Sequence, residues 1–416
     1  MNWRSIRLGD GIHVKHGFAF KGEFFSDSGE FMVLTPGNFL EKGGFRAREG
    51  KERFYHSDFP REYLLSKGDL IIAMTEQGEG LLGSAARIPA DGKYLHNQRL
   101  GLVEIVDEDL FDKRFLYWAF NSPGVRAQIR ATSTGAKVKH TAPERIKNVL
   151  LLTPSPADQA AIAFVLDSYD NLAATNQRRI TLLEEAVRRL YREWFVRLCF
   201  PGHENVKVVG GVPSGWNAQA LSSVADVNAR SIGAQEKPDL VQYIDISSVS
   251  PGQVDEIASY VFEEAPGRAR RRVTHGDVIW SCVRPNRRSY ALIWKPEEQV
   301  VASTGFAVLT ATDVPFSYLY FATTADEFVA HLEQNATGAA YPAVTAKVFK
   351  DATILVPDVA TLAAFDSFAL PRIEQMETLK QQNKALKQAR DVLLPKLMSG
   401  ELDVSNIRLQ DAAEAA

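Results

Sequence analysis

The residues best suited to hydrogen-bond a partner form a short basic loop, RPNRR, at residues 284–288. Arginine presents a planar fork of donors that can contact a phosphate or a guanine edge, and asparagine can pair with an adenine edge. The loop follows GDVIWSCV, an apolar run that predicts a strand able to present it rigidly. An ordinary solvated charged loop is the alternative. We therefore predict nucleic-acid contacts from Arg284, Asn286, Arg287 and Arg288.

Two segments of the first half of the chain correspond to this region but carry different side chains. TEQGEGLLGSAAR (75–87) follows the apolar run GDLIIAMT, and STGAKVKHT (133–141) is a basic cluster downstream. Glutamine suits adenine, glutamate can accept from the cytosine amino group, and lysine suits phosphate. In the second half the downstream segment becomes ATGAAYPAVT (336–345), which has no lysine but offers a tyrosine. The further candidates for nucleic-acid contact are Thr75, Glu76, Gln77, Arg87, Lys137, Lys139, His140 and Tyr341.

No set of residues in the sequence is arranged for catalysis. The chain contains no GxxxxGK[ST] phosphate loop, and NSPG (121–124) lacks the second proline and the aromatic residue of an amino-methyltransferase signature. The eight histidines are scattered, and none has metal-ligand spacing to Cys199 or Cys282. We therefore predict a protein that is not an enzyme and that binds no metal.

An internal repeat organises the 416 residues. GDLIIAMTEQ (68–77) is echoed by GDVIWSCVRP (276–285), and TGAKVKHTAPERIKNVLLLTP (134–154) aligns without gaps on TGAAYPAVTAKVFKDATILVP (337–357). Each repeat mixes short strand-like runs with helical segments and ends in a proline that precedes a long helical stretch. The sequence therefore predicts an α+β protein with a pseudo-two-fold repeat, in the order domain, helix, domain, helix.

The two long helices are predicted to pair in an antiparallel coiled coil. After Ser155, a suitable N-cap, the chain has no proline or glycine from residue 157 to 195, and apolar residues recur at heptad spacing. The second helix, about 359–398, repeats the pattern, with Pro395 predicting a kink or an early end. The alternative is that both stripes are core faces of unrelated helices. The predicted register places Asn176 opposite Asn383, Ile180 opposite Leu379, Leu183 opposite Met376 and Leu166 opposite Leu393.

The composition is that of a globular protein. Hydrophobic residues make up 45% of the chain and charged residues 24%, and the formal net charge is −3. This charge does not exclude nucleic-acid binding, because phosphate contacts need only a local basic face. The N-terminus has no secretory signal, no run reaches the ~20 apolar residues of a membrane span, and two cysteines fit a reducing compartment. We therefore expect a cytoplasmic protein without a membrane partner.

The whole pattern resembles the specificity subunit of type I restriction–modification enzymes. The resemblance is carried by the duplicated order of domains and helices, by REWFVRLCFPG (192–202) and by LLPKLMSGEL (393–402). It implies target-recognition domains at residues 1–153 and 200–356, spacer helices at 154–199 and 357–400, and a tail at 401–416. Each recognition domain would read one half of a bipartite DNA sequence, and the helices would set the spacing between the halves.

The resemblance also implies partners. Two methylation subunits would dock on the helices, and restriction or translocase subunits would join that core. S-adenosylmethionine, ATP and magnesium would be bound by those subunits and not by this chain. The competing interpretations are a scaffold protein that assembles partners without binding DNA, and a stand-alone nuclease or methyltransferase, against which the missing motifs argue.

Overall fold

The computed structural model describes residues 2–48, 50–233 and 235–404. The chain divides into a first unit, residues 1–174 with 383–416, and a second unit, residues 175–382. Both boundaries fall inside long helices, whereas the sequence placed its domain limits at helix ends. Residues 405–416, most of the predicted tail, lie outside the described residues.

The first unit contains a mixed set of short strands and helices. Its main sheet is four-stranded and antiparallel, in the order β2-β10-β6-β8, and a second four-stranded sheet has the order β3-β5-β4-β9, in which β4 and β9 are parallel. Strands β1 and β12 pair with each other, as do β7 and β11. The strands are β1 (Arg4–Arg7), β2 (Ile12–His16), β3 (Phe25–Ser26), β4 (Phe31–Val33), β5 (Phe54–Tyr55), β6 (Leu70–Ala73), β7 (Thr75–Glu76), β8 (Ala85–Arg87), β9 (Tyr94–Leu95), β10 (Leu100–Ile105), β11 (Lys139–His140) and β12 (Leu150–Thr153).

The second unit repeats this architecture. Its main sheet is β16-β25-β22-β23, its second sheet is β20-β17-β24-β21, in which β17 and β24 are parallel, and β15 pairs with β26. Two further hairpins pair β13 with β14 and β18 with β19. The strands are β13 (Val208–Val209), β14 (Val212–Pro213), β15 (Asn217–Ala220), β16 (Ala225–Val227), β17 (Leu240–Ile244), β18 (Val249–Ser250), β19 (Gln253–Val254), β20 (Ala258–Val261), β21 (Ala269–Arg272), β22 (Val278–Ser281), β23 (Tyr290–Leu292), β24 (Val300–Ser303), β25 (Phe306–Ala311) and β26 (Thr353–Val356).

The predicted repeat is therefore present in the fold. The central strands β6 and β22 are fully buried on both faces, which explains their uninterrupted apolar sequence. The helices follow the same order in both units, and Ser122 alone separates α1 from α2. The helices are α1 (Lys113–Asn121), α2 (Pro123–Ala131), α3 (Pro143–Lys147), α4 (Pro156–Tyr191), α5 (Phe316–Thr323), α6 (Asp326–Gln334), α7 (Ala346–Asp351) and α8 (Val359–Ser399).

Helices α4 and α8 begin at capping side chains. The Ser155 hydroxyl accepts from the backbone N–H of Asp158 at 3.2 Å, as predicted, and the Asp358 carboxylate accepts from that of Thr361 at 2.9 Å. The early end predicted from Pro395 is wrong, because α8 continues to Ser399. Leu394, Leu397 and Met398 are buried in the core of the first unit. Their packing offsets the loss of the backbone hydrogen bond that proline cannot make.

The two long helices pack against each other in an antiparallel direction within each unit. In the first unit Asp170 contacts Arg390, and Asn383 donates to the Ala173 carbonyl at 3.1 Å. The antiparallel direction follows because the later residue of α4 meets the earlier residue of α8.

The second unit shows the same direction. Asn176 contacts Gln382, and farther along α4 the ring of Tyr191 meets the ring of Phe365. The predicted antiparallel pairing is therefore confirmed inside both units.

Candidate nucleic-acid interface

The predicted contact loops come together in pairs at equivalent places in the two units. In the first unit Thr75 pairs with His140, and Glu76 pairs with Lys139, so the ladder β7–β11 joins the loop after β6 to the basic cluster at 134–140. In the second unit Val283 bridges to Ala343, which joins the loop after β22 to segment 337–343. We name these the first loop pair (75–82 with 134–140) and the second loop pair (284–288 with 337–343).

Both loop pairs depend on a glycine turn. Gly135 and Gly338 adopt φ values of 98° and 99°, a conformation that an L-residue rarely adopts. At Gly135 a Cβ atom would also lie 2.0 Å from the Val138 carbonyl oxygen. The T-G dipeptide that both halves share is therefore a backbone requirement of this turn.

Glu76 lies at the centre of the first loop pair and is buried. One of its carboxylate oxygens accepts the backbone N–H groups of Gly80, Leu81 and Leu82 at 3.1, 3.0 and 2.8 Å. The Arg130 guanidinium lies 3.3 Å from the same oxygen. This burial argues against the base contact predicted for Glu76, because its carboxylate oxygen already accepts hydrogen bonds from its own loop.

The other polar residues of the first loop pair face outward. The side chains of Gln77, Lys137, Lys139 and His140 are exposed, and Thr75 is half-buried. Two positive lysines therefore lie beside an amide in a position from which a polyanion could be contacted.

Arg87 is engaged elsewhere. Its guanidinium donates to Asp167 on α4 at 2.9 Å and to the Arg114 carbonyl at 3.2 Å, and it lies 4.2 Å from the ring centre of Tyr117. The indole N–H of Trp118 donates to the same Asp167 oxygen at 2.8 Å. In this structure Arg87 holds its strand to α4, which opposes the DNA contact predicted for it.

Arg284 holds the second loop pair together. Its backbone N–H donates to the Pro342 carbonyl at 2.7 Å, and its guanidinium donates to the Ala340 carbonyl at 3.2 Å. The guanidinium also lies 4.3 Å from the ring centre of Tyr341, whose side chain is 69% exposed. The arginine and the tyrosine therefore form an exposed stacked pair, the type of surface on which a base or sugar can pack.

The tip of the second loop pair is a tight turn with two outward side chains. Pro285 is buried beneath the turn, whereas Asn286 and Arg287 are exposed. Arg284 and Arg288, on either side, have φ values of 51° and 53°, so the turn begins and ends in the left-handed region. Arg288 forms an ion pair with Asp326 at 2.6 Å. Asn286 and Arg287 are thus the freest hydrogen-bonding groups of this loop.

The described residues contain no group of three or more His, Cys, Asp or Glu side chains that could hold a metal ion. Among those residues there is also no helix long and apolar enough to cross a membrane.

Comparison with known proteins identifies the architecture. The sequence model of the family described as the type I restriction modification DNA specificity domain matches residues 1–185. The type I restriction enzyme MjaIX specificity subunit of Methanocaldococcus jannaschii is 21% identical over 315 residues, which are 74% of this chain and 73% of that protein. The EcoBI specificity subunit of Escherichia coli is 23% identical over 274 residues, 61% of this chain and 54% of that protein. The chain is therefore similar to type I restriction enzyme specificity subunits, and its residues 1–185 match the specificity domain of that family.

A solved structure supports the fold of this chain. The crystal structure of the S subunit of the type I restriction–modification system from M. genitalium superposes with a TM-score of 0.57 at 14% identity, over 95% of this chain and 96% of that one. At that identity the likeness concerns the fold alone.

The residues predicted to pair the two long helices are buried or half-buried in their own units. Leu166 and Leu393 belong to the first unit's core, and Ile180, Leu183, Met376 and Leu379 to that of the second. Asn176 lies 3.4 Å from the Gln382 amide oxygen, within the second unit. The pairing of Asn176 with Asn383 concerns residues of different units and stays a prediction.

The sequence analysis missed three arginines that organise the loops. Arg126 donates to the Gly80 and Glu41 carbonyls, and Arg130 binds Glu76. Arg188, on α4, binds Glu184, Thr324 and Tyr290. The sequence contains no signal for these roles, since each also depends on a partner that is distant along the chain, such as Glu76 for Arg130 and Tyr290 for Arg188.

Proposed function

We propose that this chain is the sequence-specific DNA-binding subunit of a type I restriction–modification enzyme and performs no catalysis itself. Each unit would read one half of a bipartite duplex target through its loop pair. The observation that carries the proposal is the occurrence of two loop pairs at equivalent places in a repeated fold, with different side chains at their tips. Two equivalent frames with different surfaces suit the reading of two different sequences.

The chemistry of each loop pair supports recognition of DNA. Arg287 and Asn286 provide donors for a guanine or adenine edge, and Arg284 with Tyr341 provides a stacking surface. In the first unit Gln77 can contact an adenine edge, while Lys137, Lys139 and His140 can contact phosphates. The two half-sites should therefore differ in sequence.

The paired helices supply the second part of the proposal, the spacing between half-sites. Helices α4 and α8 are 36 and 41 residues long, which corresponds to roughly 54 and 62 Å at about 1.5 Å per residue. We propose that this length fixes the number of unread base pairs. The same helices would dock two methylation subunits, because apolar side chains such as Leu172, Leu182 and Val392 remain exposed on them.

The partner subunits would provide what this chain lacks. S-adenosylmethionine would be bound by the methylation subunits, and ATP and magnesium by the restriction or translocase subunits. The described cysteines are free thiols, which agrees with the reducing cytoplasm that the proposal implies.

The test begins with the target sequence, which sequencing of methylated adenines in the host genome would give. Gel-shift titrations with the assembled methyltransferase would then compare that duplex with duplexes altered in one half. Arg287→Ala should weaken binding and reduce the slope of log affinity against log salt by up to about 0.9, the value for one phosphate contact. Lys237→Ala removes an exposed charge of the same unit outside both loops and should leave the slope unchanged.

A wild-type complex that binds all duplexes equally well would overturn the proposal and favour a scaffold that assembles subunits without reading DNA. An unchanged affinity and slope for Arg287→Ala would remove the second loop pair from the interface.

A further inference from the structure

Arg188 is a half-buried arginine on α4 that binds three elements of the second unit. Its Nε and Nη2 atoms donate to Glu184 Oε1 at 2.9 and 2.7 Å, which fixes the guanidinium on its own helix. Its Nη1 donates to the Thr324 hydroxyl at 3.1 Å, and its Nη2 donates to the Tyr290 hydroxyl at 3.0 Å. The fork geometry of arginine allows these contacts to be made together.

Both outward contacts of Arg188 lead to the turn 284–288. Tyr290 follows the turn directly, and its backbone N–H donates to the Arg288 carbonyl at 3.0 Å. Thr324 is the C-cap of α5, two residues before Asp326, which forms the ion pair with Arg288. The contacts therefore close a ring from Arg188 through Tyr290, Arg288, Asp326 and Thr324 back to Arg188.

The residues of the ring line part of an open pocket of about 220 Å³. Its wall also includes Arg192 and Phe321, and Phe321 lies with its ring centre 5.4 Å from the Arg188 guanidinium. A closed ring of contacts resists rotation of the turn better than one contact could, because each member is held from two sides. The turn is thus fixed with respect to α4.

The backbone of the turn needs such support. Arg284 and Arg288 both have left-handed backbone angles, which cost of order 1 kcal/mol each for residues other than glycine. Arg284 is held by segment 337–343, and Arg288 is held by the ring. The exposed Asn286 and Arg287 are therefore presented between two clamped neighbours.

We propose that Arg188 is a positioning residue for sequence discrimination, which sets the geometry of the turn 284–288 from α4 without touching DNA. This inference rests on the proposed function. It predicts that Arg188 affects the reading of one half-site only, the one that Arg287→Ala identifies as read by the second unit.

The first unit provides the internal control. Among its described residues, the contacts recorded for Glu76, Arg126 and Arg130 hold the loop 76–82 from within the recognition fold. The hairpin that carries this loop contacts α4 through Arg87 and Asp167 at its other end, since Arg87 pairs with Leu70 at the start of β6.

The experiment measures the affinity of the assembled methyltransferase for the cognate duplex and for duplexes altered in either half. Arg188→Met should reduce discrimination at the second unit's half-site about tenfold, the scale of one misplaced bidentate contact. Discrimination at the other half-site and the salt slope should stay at their wild-type values, because no phosphate contact is removed. Arg188→Lys should not restore discrimination, since lysine lacks the fork.

Two further variants separate positioning from folding. Tyr290→Phe removes one hydroxyl of the ring and should reproduce part of the loss, and its effect should be less than additive with Arg188→Met. Arg189→Met removes the same charge from the next position of α4, where the side chain is exposed, and should leave discrimination at both half-sites unchanged.

The inference would be overturned if Arg188→Met kept wild-type discrimination at both half-sites, or if it lost discrimination equally at both. A salt slope reduced by about one would also overturn it, because Arg188 would then be a phosphate contact. If Arg188→Met does not fold, wild-type discrimination by Tyr290→Phe would overturn it as well. A wild-type complex without sequence preference would instead overturn the proposed function.

Discussion

The loops 76–82 and 284–288 occupy the same place in a repeated fold, yet opposite chemistry holds them. In the first unit a buried acid, Glu76, collects three backbone N–H groups and Arg130. In the second unit the arginines Arg284 and Arg288 reach outward to a carbonyl and to Asp326. The arrangement of the strands is therefore the same in both units, whereas the contacts that hold each loop differ. Each loop tip can then present different side chains.

The two loops also differ in which part of the unit holds them. The loop 76–82 is held by residues of its own recognition fold, whereas the turn 284–288 is tied through Tyr290 and Thr324 to Arg188 on α4. A substitution in α4 should therefore alter the conformation of the second loop pair more than that of the first.

The largest effect is expected from a substitution of Glu76, the acid at the centre of the first loop. Glu76→Gln should lower the free energy of unfolding by about 4 kcal/mol, because an amide oxygen accepts less strongly than a carboxylate and Arg130 loses its buried partner. Urea unfolding gives the free energy, and hydrogen exchange of the amides of residues 80–82 reports the loop. Glu79→Gln is the matched control, since this carboxylate also binds Arg130 but is 93% exposed, and it should cost less than about 1 kcal/mol. Equal costs for the two variants would contradict the central role of Glu76.

The second largest effect is a difference between the two units in how the free energy of unfolding depends on pH. His96 is buried after β9, whereas Ser303 ends the equivalent parallel strand β24. Burial lowers the pKa of His96 from 6.5 to about 4, so the unfolded chain binds a proton at a higher pH than the folded chain does. The free energy of unfolding should therefore fall as pH decreases below 6.5, by about 2 kcal/mol at pH 5.

Urea unfolding at pH 7 and pH 5 measures this loss. His96→Gln, which cannot titrate, should show a smaller loss than the wild type by about that amount. The same pH dependence in the variant would show that other groups cause it.

The smallest effect concerns the stacked pair of the second loop. Tyr341→Leu should lower the free energy of unfolding by about 0.5 kcal/mol, because an exposed guanidinium–aromatic contact contributes little. Tyr341→Phe keeps the ring face and should be neutral in the same urea titration. A similar loss in both variants would assign the contribution to the hydroxyl and not to the stacking.

The sequence was sufficient for the repeated frame but not for the contacts that fix the loops. Apolar runs such as residues 70–73 and 278–281 predicted the central strands because these strands are buried on both faces. The heptad stripes predicted the antiparallel helices because residues such as Leu166 and Ile180 lie in the cores.

The site predictions depended on exposure, which the sequence does not give. Glu76 and Arg87 have suitable side chains for base contacts, but one is buried by its own loop and the other binds Asp167 on α4. Arg188 has no local signal because its partners Tyr290 and Thr324 lie more than a hundred residues away. In each case tertiary contacts decide which donors remain free.

The unit boundaries inside α4 and α8 have a consequence for inheritance. Each unit carries a stretch of both helices together with the apolar side chains that those stretches pack. A genetic exchange that replaces residues 175–382 as a block would import the matching helix faces along with a new recognition fold. Variation in DNA target can then arise by recombination without a mismatched core, provided that the crossovers fall in the middle of the helices and not at their ends.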